Sequence, residues 1–144
     1  MNAGTSPRDE MNAFLDPLFT FAKRMLDEHG EFFPFGATIS SEGQLAMSGA
    51  MTDSDQPPSL ELIDLMEEAF RQAASRGEIR ASAICLDVLI RPSGAEPTDA
   101  IEIRIEHQDA DPVSVHLPYK KRRLRGIDYG DLSASPGTPR VFTK

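Results

Sequence analysis

The chain has 144 residues, of which 40% are hydrophobic and 26% are charged, a composition typical of one ordinary globular domain. Its formal net charge of −8 argues against a nucleic-acid partner, since phosphate contacts require cations. The sequence has no apolar run of the roughly 20 residues that a bilayer-spanning helix needs, and no secretory signal is recognisable. We therefore expect one cytoplasmic domain over residues 1–144, with no membrane partner and with mobile residues 1–7.

Charge is distributed unevenly along the chain. Residues 1–117 carry 8 Lys and Arg against 21 Asp and Glu, a net charge of −13, whereas residues 118–144 carry 7 against 2, a net charge of +5. The basic run over residues 120–125 has no aromatic residue within it, which weakens the case for nucleic acid. We interpret this run as a solvated strand end or as a counterpart of the acidic body.

The N-terminal region predicts an amphipathic helix. Ser6 is placed to cap it, with Pro7 at the first helical position. Apolar residues then recur at helical spacing as far as His29, where a glycine follows and is placed to end the helix. Pro17 interrupts this pattern, so either one helix is kinked there or a second helix starts at Asp16.

A β-hairpin is predicted next. Aromatic and β-branched residues over 31–40 favour a strand that begins near Pro34. A short turn follows, in which Gly43 is available for positive φ. The returning strand, residues 45–50, is built mostly of small residues and suits a sheet edge.

A second helix and a three-stranded meander complete the predicted body. The helix is expected to begin at Ser59 and to end at Gly77, with Glu67 and Arg71 as an exposed i,i+4 pair. The meander over residues 79–119 contains the strict alternation Ile-Glu-Ile-Arg-Ile-Glu, which is typical of a half-buried antiparallel strand.

Alternation also assigns faces and register to the meander. The core face of its first strand is predicted to carry Ile84, Leu86, Val88 and Ile90, and the outward face to carry the small residues Ala81, Ala83 and Cys85. The register that aligns the aliphatic residues places Asp87 opposite Arg104 and Cys85 opposite Glu106. On the next pair of strands it places Glu102 opposite His116.

The element order α-β-β-α-β-β-β predicts an α+β fold, a five-stranded antiparallel sheet with two packed helices. We expect either that both helices lie on one face of the sheet or that one helix lies on each face. Residues 120–144 form a basic, Gly/Pro-rich tail whose course the pattern leaves open. Its apolar residues favour a partial return to the body: Ile127, Tyr129, Val141 and Phe142.

Several short motifs resemble those of a family of small bacterial proteins of unassigned function. They are Glu31-Phe32-Phe33-Pro34-Phe35-Gly36-Ala37, Asp87-Val88, Ile105-Glu106-His107 and Leu117-Pro118-Tyr119. The family motif reads Glu-Phe-x-Pro-Phe-Gly-Ala, and Phe33 occupies a position where the family sometimes has tyrosine. The element order also resembles that of roadblock and profilin-like domains. The resemblance implies the fold boundaries over roughly residues 18–120 and implies no activity.

The aromatic motif admits two interpretations. In the first, Glu31 is a carboxylate at the mouth of a pocket lined by Phe32 and Phe35. In the second, Phe33 and Phe35 belong to the core and Glu31 binds backbone amides. The candidate pocket or interaction residues of the whole chain are Glu31, Phe32, Phe35, Asp87, Arg104, His107, His116 and Tyr119.

The remaining polar residues suggest no catalytic, cofactor or metal site. A row of Asp87, Arg104, Glu102 and His116 is compatible with acid/base chemistry or with a solvated polar face. By the alternation of faces along a strand, His107 lies on the core face and His116 on the outward face, so the two should not converge on a metal ion. Phosphate-loop, dinucleotide-binding, zincin and nucleophile-elbow motifs are all absent.

We therefore expect a non-catalytic protein-interaction domain, acting as a homodimer or binding a basic partner in the manner of an inhibitor or immunity protein. Self-association through the small outward face or through the thin edge strand would suit this role. The alternative is a small-molecule-binding or enzymatic domain with a pocket near Glu31, Phe32 and Phe35.

Overall fold

The computed structural model describes residues 6–49, 59–91, 94, 96–124 and 126–143. The described helices are α1 (Pro7–Ala13), α2 (Leu15–His29) and α3 (Ser59–Ser75). The strands are β1 (Phe35–Ser40), β2 (Leu45–Ser48), β3 (Ile79–Ile90), β4 (Thr98–His107), β5 (Ala110–Lys121), β6 (Ile127–Tyr129) and β7 (Ser133–Pro136). The expected α+β class with an antiparallel sheet is confirmed.

The predicted N-terminal helix is divided into two helices. Ser6 caps α1 as predicted, because its hydroxyl accepts the N–H of Asp9 at 3.1 Å. The predicted mobility of residues 1–5 lies outside the described residues, whereas Ser6 and Pro7 belong to the helix start. The break falls at Phe14, so Pro17 lies in the first turn of α2, where its missing N–H costs no helical hydrogen bond.

The sheet is larger than predicted. Its strand order is β2-β1-β3-β4-β5-β6, and β7 also pairs with β5, so the described residues form seven strands instead of five. The two additional strands lie in the predicted tail. Both are short, β7 is exposed throughout, and both lack the run of β-branched residues that identifies a strand from its sequence.

Helices cover both faces of the sheet, which was one of the two predicted arrangements. One core lies beneath α1 and α2 and includes Leu18, Ala83 and Ile103. The other lies beneath α3 and includes Phe70 and Ile84. Gly36 permits α3 to approach closely, because a Cβ at this position would lie 3.0 Å from the ring of Phe70 and 2.8 Å from a backbone oxygen.

The predicted register was correct for one strand pair and wrong for the other. Glu102 lies opposite His116 as expected. Between β3 and β4, however, Ile84 faces Arg104, Cys85 faces Ile103 and Asp87 faces Ile101, so Asp87 does not face Arg104 and Cys85 does not face Glu106. The predicted register was wrong because both faces of β3 are buried, and the two apolar rows offered two alignments.

The small face of β3 is not an outward surface. Ala81, Ala83 and Cys85 are fully buried, with exposed fractions of 0%, in the core beneath α1 and α2. Two helices of the same chain therefore occupy the face for which we had considered self-association.

Candidate functional site

A buried cluster of Glu10, Arg80 and His107, which we call the α1 anchor, ties the first helix to the sheet. The guanidinium of Arg80 donates from Nε to both oxygens of Glu10, at 3.1 and 3.0 Å, and its Nη2 contacts the same carboxylate. It also donates from Nη1 to the carbonyl of Ser41 at 3.0 Å. The anchor therefore joins α1, β3 and the turn between β1 and β2.

The imidazole of His107 is engaged at both nitrogens. Its Nδ1 accepts the backbone N–H of Asp109 at 3.0 Å, so the ring proton lies on Nε2 and is donated to Glu10 at 2.7 Å. Both ring nitrogens of His107 are therefore occupied within the fold, by Glu10 and by the backbone of Asp109. This agrees with its predicted place on the core side of the strand.

Asp87 and Tyr119 form a second polar pair, on the face covered by α1 and α2. The hydroxyl of Tyr119 donates to Asp87 Oδ1 at 2.7 Å. Although Asp87 as a residue is exposed, partial burial of its carboxylate raises its pKa, and this effect outweighs the lowering by the hydrogen bond from Tyr119. Burial and the bond to Asp87 in turn raise the pKa of Tyr119, which keeps the phenol protonated.

The aromatic motif fills core space. Phe32 and Phe35 are 8% and 7% exposed, and their rings contact each other edge to face with centroids 5.8 Å apart. Phe35 also contacts Phe21. The prediction that Phe33 lies in the core was wrong, since it is 45% exposed. Glu31 makes no hydrogen bond with a described residue, so the predicted bonds to backbone amides are not seen there.

A third group of polar side chains lies on the α3 face of β4 and β5. Glu102 accepts from Nε of Arg104 at 2.8 Å and contacts Nε2 of His116 at 2.7 Å, so both of its carboxylate oxygens are occupied. Asp87 belongs to the opposite face because the register between β3 and β4 differs from the predicted one. The predicted row of four polar residues is therefore reduced to three.

Glu106, which the predicted register placed opposite Cys85, holds the C-terminal segment against the sheet. One of its oxygens, Oε1, accepts three successive backbone N–H groups, those of Arg140, Val141 and Phe142, at 2.9, 2.9 and 3.2 Å. The side chain is buried, and Val141 packs beneath α3 beside it. Carboxylates with several such donors hold a neighbouring segment firmly.

Glu67 also has a different role from the one predicted. It is 6% exposed and does not pair with Arg71, which binds Glu68 at 3.1 Å instead. Its carboxylate lies between two guanidinium groups, 4.0 Å from Arg104 and 3.7 Å from Arg140. Helical position alone could have identified it, because residues 63, 66, 67 and 70 share one face of α3.

Two small cavities adjoin these groups. A polar cavity of about 180 Å³ lies between β4, β5 and the C-terminal segment, and Arg104, Glu106, Ser114 and Arg140 are among its lining residues. A more apolar groove of about 290 Å³ lies between α1, β5 and β7.

The described residues offer few features from which to assign chemistry. No group of three or more His, Cys, Asp or Glu among them is arranged to hold a metal ion. None of the helices in the described ranges is long and apolar enough to cross a bilayer. The side chain of Cys85 is buried in the core, and burial raises the pKa of its thiol.

Comparison with known proteins found no matching family model, no matching curated protein and no matching solved structure. The resemblance to the small bacterial family and to roadblock and profilin-like domains stays a prediction.

Proposed function

We propose that this protein is a non-catalytic protein-interaction domain that forms a homodimer by pairing two copies of β2. The observation that carries the proposal is the position of β2 at the end of the strand order, with no described strand on its outer side. An unpaired strand presents a row of N–H and C=O groups that another strand can bind.

The hydrogen-bond alternation of the hairpin identifies the groups that face outward. The N–H of Ser40 donates to the carbonyl of Gln44 at 2.8 Å, so residues 44, 46 and 48 direct their backbone groups toward β1. The N–H and C=O groups of Leu45 and Met47 consequently point to the open side. A two-fold axis through Ala46 would place Leu45 of one copy opposite Met47 of the other, in an antiparallel pair.

The edge lacks the features that usually prevent such pairing. The sequence from Gln44 to Gly49 contains no Lys, no other charged residue and no Pro. Met47 is 43% exposed, which adds an apolar side chain beside the free backbone groups. These features favour a strand as the binding partner of this edge.

The state of the polar residues supports a role without catalysis. His107, Glu102 and Asp87 each bind a partner within the fold. A catalytic acid or base must instead be able to reach a substrate. A pocket at Glu31 receives little support, because the rings of Phe32 and Phe35 pack against each other. A cytoplasmic location belongs to the same proposal, and the lone cysteine is consistent with a reducing compartment.

A second candidate is the binding of a basic protein, as by an inhibitor or immunity protein. It is supported by the net charge of −13 over residues 1–117. The two candidates respond oppositely to salt. Screening should strengthen the association of two acidic copies, whereas it should weaken the binding of a basic partner.

The test is the solution mass, measured by light scattering over a concentration series at low and high salt. The proposal predicts a mass that rises toward twice the 15.8 kDa of one chain, at lower concentration in high salt. Met47→Lys should keep the protein monomeric, because it places a charge on the edge. Leu124→Lys is the matched control, since Leu124 is 96% exposed, lies in the turn between β5 and β6, and changes the charge equally. A wild-type protein that stays monomeric throughout would refute the proposal.

A further inference from the structure

The polar cavity beneath the C-terminal segment is lined by charged groups of both signs whose hydrogen-bonding capacity is only partly used by the described residues. It has a volume of about 180 Å³ and is bounded by β4, β5 and residues 136–140. This is smaller than the roughly 300–1,000 Å³ typical of sites for drug-sized ligands. The cavity therefore suits the charged end of a small ligand.

The cationic side of the cavity is provided by two arginines. The guanidinium of Arg140 makes no hydrogen bond with any described residue, and its Nε lies 3.7 Å from Glu67. Arg104 donates to Glu102 from Nε, but its Nη1 is 4.0 Å from Glu67, beyond hydrogen-bond distance. Several N–H donors in planar, carboxylate-matching geometry are thus available.

The anionic side is provided by Glu106. Glu106 is buried, with 7% of the residue exposed, and only its Oε1 binds the backbone of residues 140–142. Its Oε2 makes no hydrogen bond with a described residue. Glu102 cannot take its place, because both of its oxygens are occupied by Arg104 and His116. The hydroxyl of Ser114 adds a neutral donor and acceptor in the lining.

These groups select for a ligand that carries both charges. A simple anion would meet the carboxylate of Glu106, and a simple cation would meet the guanidinium groups of Arg104 and Arg140. We infer that the cavity binds a small zwitterion of the α-amino-acid class, with its carboxylate on the arginines and its ammonium group on Glu106. This inference is independent of the pairing of β2, which lies at the other end of the sheet.

The inference is tested by NMR titration of the ¹⁵N-labelled protein with glycine, acetate and methylammonium separately. Glycine should shift the amide signals of Glu106, Gly137 and Arg140 in a saturable manner. Acetate and methylammonium, which each supply one charge only, should bind at least about tenfold more weakly, since a hydrogen bond to a charged group is lost in each case. The inference would be overturned if acetate or methylammonium bound as tightly as glycine, or if glycine caused no saturable shift.

Variants locate the site. Arg140→Gln should weaken glycine binding at least about tenfold. Arg76→Gln is its control, because Arg76 is exposed at the end of α3, does not line the cavity and changes the charge equally. Ser114→Ala, which leaves the contacts of the C-terminal segment with Glu106 intact, should weaken binding by a smaller factor. Unchanged glycine binding in both Arg140→Gln and Ser114→Ala would refute the assignment.

Discussion

The two edges of the sheet differ in how much of the chain lies beside them. At one edge, β5 is covered by β6 and β7, and the C-terminal segment beyond them is held by Glu106. At the other edge, β2 is short, uncharged and not paired on its outer side by any strand in the described residues. This difference between the edges is the basis of our proposal that β2 is a binding surface.

The α1 anchor contacts the turn of the hairpin that carries the open edge and contains a buried carboxylate, so Arg80→Ala should have the largest effect on stability. Removing Arg80 leaves the carboxylate of Glu10, 6% exposed, without the guanidinium that neutralises it. We expect a loss of about 3–5 kcal/mol in the free energy of unfolding, measured by urea denaturation. Arg76→Ala, at an exposed position in the turn after α3, serves as the control. Equal stability of the two variants would show that the anchor does not hold the hairpin.

At the covered edge, Glu106→Ala should release the C-terminal segment. The substitution removes the single oxygen that accepts the N–H groups of residues 140–142. We expect a loss of about 2–3 kcal/mol, less than for the anchor, because part of the released backbone can be hydrated. Glu106→Gln retains an acceptor and should lose less. A segment that remains protected from proteolysis in Glu106→Ala would contradict this role of Glu106.

Val141→Ala tests the apolar part of the same attachment. Val141 is 5% exposed and packs in the core beneath α3. Losing two buried methyl groups should cost about 1.5 kcal/mol in urea denaturation, at about 0.8 kcal/mol for each. Leu132→Ala, at a residue that is 53% exposed between β6 and β7, should change stability little. A larger effect at Leu132 would mean that the segment is attached elsewhere.

The pair Asp87–Tyr119 should give the smallest effect, seen as a pH dependence. Because the pKa of Asp87 is raised above its ordinary value of 3.8 in the folded state, its contribution to stability is fully present below that value. The contribution is lost as the pH rises through the raised pKa. Asp87→Asn keeps an oxygen for the hydroxyl of Tyr119 and cannot ionise. Its stability relative to the wild type, from denaturation at several pH values, should therefore increase with pH, and a decrease would contradict the assigned shift.

The accuracy of the sequence predictions depended on how far apart the interacting residues lie. The register between β4 and β5 was predicted correctly because a two-residue turn joins these strands and allows few alignments. The longer connection between β3 and β4 allows several alignments of the two strands, and the predicted one was wrong. The strands β6 and β7 were missed because three or four residues carry no periodicity.

Among the polar residues of the candidate site, too, close pairs were predicted better than distant ones. Glu102 and His116, 14 positions apart on neighbouring strands, were paired correctly. Glu10 lies 70 positions from Arg80 and 97 from His107, and a helical pattern does not indicate which distant strand its polar residues will contact. The cavity escaped prediction for a similar reason, since Arg140 reaches it only through the return of the C-terminal segment.

Hydrogen exchange at β2 tests the central claim, that the open edge pairs with a second copy, most directly. The N–H of Ala46 is directed at β1 in either oligomeric state and provides an internal reference, whereas the N–H groups of Leu45 and Met47 face outward. The account predicts that the amides of Leu45 and Met47 become protected as the protein concentration rises, and that Met47→Lys abolishes this protection at Leu45. If both amides exchange rapidly at every concentration while that of Ala46 stays protected, β2 is not paired and the claim is wrong.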